Sequence, residues 1–165
     1  EGIGSYAAII STKDEALEER MKNFLEDIGY VGFANFDMKL DPRDGVYKLF
    51  EMNLRQGRSS FFVTAAGYNL AKWLADDVVF QKEMPLTVAA NKVLWTIIPK
   101  GVIYKYVRDE ALKAQARALI KEGKVCRSLY YAPDMNFHRF IGYCKNQLHY
   151  YQKYKKYFGN KGLHD

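Results

Sequence analysis

Phe36-Asp-Met-Lys-Leu-Asp41-Pro-Arg-Asp-Gly45-Val-Tyr-Lys-Leu-Phe50-Glu-Met-Asn-Leu-Arg55-Gln-Gly-Arg58 is the stretch on which the reading of this chain turns. Residues 31–40 are rich in apolar and aromatic types and short enough for a strand. Asp41, Pro42, Asp44 and Gly45 make a turn cluster, and Val46 to Met52 resumes an apolar run. The pattern predicts a β-hairpin with a loop of roughly five residues. Strict alternation on the second strand would put Tyr47, Leu49, Glu51 and Asn53 on one face and Lys48, Phe50 and Met52 on the other. Asp37, fourteen positions before Glu51, would fold back opposite it, and Arg55 would keep the same parity if the strand ran that far.

Two acids on a hairpin are ordinarily a solvated face. The flanking chemistry argues for more. Glu51 lies between Phe50 and Met52, too apolar a setting for a typical solvent edge, and the loop after it concentrates Arg55, Gly57, Arg58, Ser59 and Ser60, all suited to holding phosphate. Asp37, Glu51 and Asn53 offer the oxygen donors that Mg²⁺ takes when it shares its shell with phosphates.

These residues resemble a known family. Gly29-Tyr30-Val31-Gly32, Asn35-Phe36-Asp37 and Phe50-Glu51-Met52-Asn53-Leu54-Arg55 are similar to the C-terminal half of the ATP-grasp fold, over roughly residues 6–77. Past Asp77 the likeness is weak. The match is closest to carboxylate–amine ligases of the D-aspartate ligase type and to carbamoyl-phosphate synthase large-subunit homologues. The resemblance implies ATP and Mg²⁺ (or Mn²⁺) as cofactors, and an amide or peptide-like bond formed through an acyl-phosphate. It also implies that Asp37, Glu51 and Asn53 ligate the metal and that Arg55 is the catalytic cation. Arg58 and Ser59 would hold nucleotide or intermediate, and Phe50 would either contact adenine or fill the core, as Met52 would. The lobe that would bind the α- and β-phosphates and adenine has no counterpart here. The chain, which begins without Met, is expected to be the C-terminal part of a longer enzyme and inactive alone. Its partners would be that missing N-terminal lobe and small carboxylate and amine substrates, with a homodimer as a further option.

The implied fold class is α+β: the C-terminal lobe of an ATP-grasp fold, an antiparallel sheet flanked by helices, with a helical C-terminal extension. Residues 1–80 would form the subdomain and 81–165 the extension packed on it. With 165 residues at 48% hydrophobic composition, one substantial core can be buried. Net charge +6 helps draw in nucleotides but does not by itself argue for nucleic acid as a partner. Neither a membrane-length apolar run nor a signal peptide is visible, and two cysteines without a CxxC fit a reduced, cytoplasmic setting. Cys126, His138, Cys144 and His149 are spaced wrongly for structural zinc.

Elsewhere, Tyr6 to Ile10 reads as a strand. A helix follows, capped by Ser11 or Thr12 and ending at Gly29. A second helix from Ser59 or Ser60 to Leu74 would carry Gly67 as an interruption or close contact, and its N-terminus would face the phosphates. Val93–Ile98 and Val102–Val107 read as a hairpin turning at Pro99-Lys100-Gly101. Asp109 to Lys121 reads as a helix and Val125 to Tyr131 as a strand. Asn136 to Phe158 is a basic, Tyr-rich helix. Ordinarily it would be a packed helix with solvated lysines; the rival function is a non-catalytic module that uses it on membrane or nucleic acid.

Overall fold

The computed structural model of the chain describes residues 7–57 and 59–159. Thr12–Ser60 forms one compact unit; residues up to Ser11, together with those from Phe61 onward, form the other. Helix and sheet are mixed throughout, in keeping with the expected α+β class.

The first unit holds helix α1 (Glu15–Asp27) and the hairpin of β2 (Asn35–Asp41) and β3 (Val46–Asn53). The cap of α1 is Asp14, not Ser11 or Thr12: its carboxylate accepts the Leu17 N–H at 3.1 Å, while Glu18 accepts the Asp14 N–H at 3.4 Å. Ser11 is committed elsewhere, its hydroxyl accepting the Val93 N–H at 2.8 Å. Gly29, at φ +63°, ends the helix as expected, with the Tyr30 N–H returning to the Leu25 carbonyl at 2.9 Å. The predicted strand from residue 31 begins only at Asn35, because Gly32 takes φ +127° and the Tyr30 hydroxyl donates to the Phe33 carbonyl at 2.7 Å. Phe24 of α1 meets Phe36 of β2 edge-on at 6.2 Å, so α1 covers the Phe36 face of the hairpin.

The second unit is built on a three-stranded sheet ordered β1 (Ala8–Ile10), β4 (Leu94–Thr96), β5 (Val125–Arg127). Central β4 runs antiparallel to β1 and parallel to β5. All three of its residues are buried, as a strand covered on both faces must be. Its core gathers Leu94, Ile98, Val102, Ile103, Ala116 and Leu119, with Tyr150 and Tyr154 packed against them. Trp95 is 1% exposed, and its indole N–H is satisfied by the Ser128 hydroxyl at 2.5 Å. Cys126 is buried beside it in the register, and burial pushes its thiol up to about 11.

The hairpin expected across residues 93–107 is not formed. β4 stops at Thr96, whose hydroxyl bridges the N–H and C=O of Ile98, and Pro99 leads into helix α4 (Lys100–Tyr106). Proline loses nothing at a helix entrance, where its absent N–H would have no partner. Val102 and Ile103 are both buried, so core burial overrides their β-preference. A side chain at Gly101 would meet the Tyr151 hydroxyl of the final helix, so a larger residue there would make that exposed ring shift.

The helix expected from Ser59 to Leu74 is broken, as Gly67 suggested. Short α2 (Phe61–Ala65) ends at Gly67 with φ +110°, and α3 (Leu70–Leu74), capped by Asn69, runs on into a π-helical turn, Ala75–Val79. Asp76 on that turn is buried and held by Lys72 and, at 2.6 Å, by Lys82. Helix α5 (Glu110–Lys121) is capped by Asp109, and β5 is shorter than the predicted 125–131 strand. Past a 3-10 turn at Ala132–Asp134, α6 (Phe137–Phe158) forms as the sequence predicts.

Leu94→Ala should lower unfolding free energy by about 2–5 kcal/mol in urea titrations, through lost burial and a residual cavity. Hydrogen bonds from Lys72 and then Lys82 hold the Asp76 carboxyl below the usual carboxylate range. Its stabilising contribution is therefore complete above the unfolded value of about 4 and disappears as pH falls through the lower folded one. Asp76→Asn should unfold at lower urea than the parent at pH 7, and the gap should close in acid, as pH falls through the lowered folded value.

Candidate functional site

The register of the hairpin pairs Asn35 with Asn53, Phe36 with Met52 and Asp37 with Glu51. It then slips, pairing Met38 with Leu49 and Lys39 with Lys48. Phe50 is left without a partner, as the extra residue of a bulge. Residues directly opposite share a face, so Asn35, Asp37, Glu51 and Asn53 stand together, away from the Phe36–Met52 face that α1 covers.

The bulge corrects the face assignment made from alternation. Tyr47 and Leu49 do not share the face of Glu51 and Asn53. They pair with Leu40 and Met38, on the Phe36 side, while Lys48 moves to the carboxylate side. That side is a ladder of like pairs: two amides, then two carboxylates, then two ammonium groups. Lys48 is drawn toward the turn by Asp44 at 2.5 Å. Asp37 is half-buried and Glu51 exposed.

β3 ends at Asn53, so parity does not place Arg55. It lies on a bend beyond the strand, where its Nη1 donates to the Gln56 carbonyl at 3.1 Å, and it joins no ion pair among the described residues. The guanidinium is therefore not spent on neutralising the hairpin carboxylates. Phe50 is 70% exposed, which removes the option that it fills the sheet's core; Met52 is half-buried. Ser59 is half-buried in the turn closed by the Ser60 N–H on the Gly57 carbonyl at 3.1 Å, and Arg58 lies outside the described residues. The expectation of a long helix aiming its N-terminus at phosphate does not hold, because α2 is a single five-residue turn.

Asn35 is the residue that strand alternation alone left without a role. It faces Asn53 across the ladder, and a Cβ on Gly57 would stand 2.8 Å from its Oδ1 and 3.3 Å from the Ser60 hydroxyl. Gly57 thus lets the loop after β3 fold tightly against the Asn35 amide. The signal was available: Asn35 lies two residues before Asp37, hence on the same face.

The donor set suits a hard divalent cation: two carboxylates directly opposed, flanked by two amides, with no cysteine or histidine nearby in sequence. No cluster of three or more His, Cys, Asp or Glu occurs among the described residues, so a metal here would complete its shell with amide, phosphate or water oxygens.

Residues 7–77 match the family described as carbamoyl-phosphate synthase L chain, ATP binding domain. The chain is 44% identical over 162 residues to a D-aspartate ligase of Enterococcus faecium (strain Aus0004). That alignment takes in 94% of this chain and 38% of the relative, so the chain spans well under half of that relative's length. No solved structure matches. The family match covers the whole hairpin, and the likeness to the ligase runs on through the second unit; both support the ATP-grasp resemblance carried by the hairpin residues.

Proposed function

We propose that this chain supplies the metal- and phosphoryl-handling part of an ATP-dependent ligase that joins a carboxylate to an amine. The observation that carries the reading is the cross-strand Asp37–Glu51 pair, with Asn53 two residues on and Arg55 just past the strand end. Asp37, Glu51 and Asn53 would hold Mg²⁺ (or Mn²⁺), which when bound offsets charge on the nucleotide phosphate oxygens. Phe50, exposed at the bulge, offers a flat apolar surface to adenine. Arg58 and Ser59 extend the donor set of the loop.

The substrate carboxylate attacks the γ-phosphorus and ADP leaves. The amine nitrogen then attacks the acyl carbon, phosphate departs, and the amine loses a proton. Negative charge accumulates on the transferring phosphoryl group in the first step. A guanidinium without a carboxylate partner among the described residues is suited to stabilising it, which is the dominant need in phosphoryl transfer. D-aspartate, the compound in the relative's name, is the first carboxylate to test. Adenine and the α- and β-phosphates would be held by the lobe expected in the longer polypeptide, so residues 1–165 alone should turn over no ATP. Calorimetry with Mg-ATP should show only weak binding, and micromolar affinity would mean a more complete site.

In the longer enzyme, Arg55→Ala should leave Mg-ATP affinity near the parent's while lowering kcat for carboxylate-dependent ADP release on the order of 10²–10³. Glu51→Gln should weaken Mg-ATP binding as well, since it removes a full charge from the metal's ligands. Parental turnover by Arg55→Ala across carboxylate and amine substrates would make Arg55 a structural residue.

A further inference from the structure

Helix α6 is fixed along one stripe and open along another. Tyr150 and Tyr154 pack on the core, Tyr154 lies 5.4 Å from Tyr106, and the Gln147 amide donates to the Ile97 carbonyl at 3.2 Å. A separate stripe at helical spacing carries Phe137, Phe140, Ile141 and Leu148, all exposed, with Phe137 at 81% and Leu148 at 62%. Nothing in the core requires these side chains.

Charge decides what would cover them. The 22 residues of α6 contain no Asp or Glu, but carry Lys145, Lys153, Lys155 and Lys156. Arg139 is neutralised by Asp134, whereas none of the four lysines forms an ion pair with a carboxylate among the described residues. Lys145, Lys155 and Lys156 are exposed. An acid-free cationic flank beside an open Phe/Ile/Leu stripe is the composition of a helix that lies in the plane of an anionic bilayer. There the apolar side chains enter the headgroup boundary, the lysines meet lipid phosphates, and tyrosines sit at the interface. No helix among the described residues is long and apolar enough to cross a membrane, so α6, about 33 Å long, would rest on the surface.

We propose that α6 docks this chain reversibly onto anionic phospholipid surfaces, through Phe137, Ile141 and Leu148 together with Lys145, Lys155 and Lys156. The contact is independent of the hairpin site and requires no nucleotide. An acidic protein, or the lobe expected in the longer polypeptide, would have to match the apolar stripe in shape as well as meet the lysines, whereas a bilayer needs no such match. Nucleic acid would use the lysines and leave Phe137 and Leu148 in water.

The test is co-sedimentation of the full chain with vesicles of phosphatidylglycerol and phosphatidylcholine at 1:1, against phosphatidylcholine alone, at low and at 0.5 M salt. Binding should be confined to the anionic vesicles and weaken with salt. Each of Lys145→Gln, Lys155→Gln and Lys156→Gln should cost on the order of fivefold in partitioning. Leu148→Asp should cost at least as much while leaving the circular dichroism and unfolding midpoint unchanged, because the side chain is already exposed. Should Leu148→Asp perturb folding, Phe137→Ser takes its place. Equal binding to both vesicle types, or none to either, overturns the proposal. So does competition by single-stranded RNA with Leu148→Asp silent, which would make the face a polyanion binder. Concentration-dependent dimerisation without vesicles, abolished by Leu148→Asp, would instead assign the stripe to a second copy.

Discussion

Two carboxylates set directly opposite each other across an antiparallel pair repel, and such a pair lowers the stability of the sheet that carries it. Asp37 and Glu51 stand in that relation, and the next matched pair, Lys39 and Lys48, repeats the cost with the opposite sign. The hairpin bears both because its other face is anchored: Phe36 and Met52 lie on the side covered by α1, with Phe24 against the Phe36 ring. A scaffold held from behind can carry a front whose like charges are unfavourable on their own. That is the usual balance between stability and a functional face.

The bulge at Phe50 gives this front its composition. Without the slipped residue, Lys48 would point with Met52, and Leu49 would sit beside Glu51. With it, Met52, Leu49 and Tyr47 lie on the α1 side, while amide, carboxylate and ammonium pairs line the other as far as Asp41 and Val46 at the turn. A bulge also sharpens local twist and ends regular pairing, and it leaves an aromatic ring in solvent at the edge of the charged ladder.

Much of this was legible in the residues, for identifiable reasons. The hairpin was readable because Asp41, Pro42, Asp44 and Gly45 punctuate two apolar runs. The α5 and α6 helices were readable because their periodicity is long and their caps, Asp109 and Asn136, are unambiguous. The phase slip was not, since nothing in Leu49-Phe50-Glu51 marks which residue will lose its partner. Nor was α4: Val102, Ile103, Tyr104 and Tyr106 carry strand propensities, and only their burial against Leu94 and Leu119 makes them helical. Arg55 was placed by assuming that the strand continued, whereas β3 ends at Asn53.

The two thiols of this chain differ in a way that chemistry can use. With its thiol raised to about 11 by burial beside the central strand, Cys126 stays protonated at pH 7, so electrophiles that require thiolate have little to attack there. Cys144 is half-buried on α6, one turn from Ile141 and Leu148. A maleimide dye at neutral pH would therefore report from that helix alone, turning an ordinary pair of cysteines into a single-site optical label without any mutation.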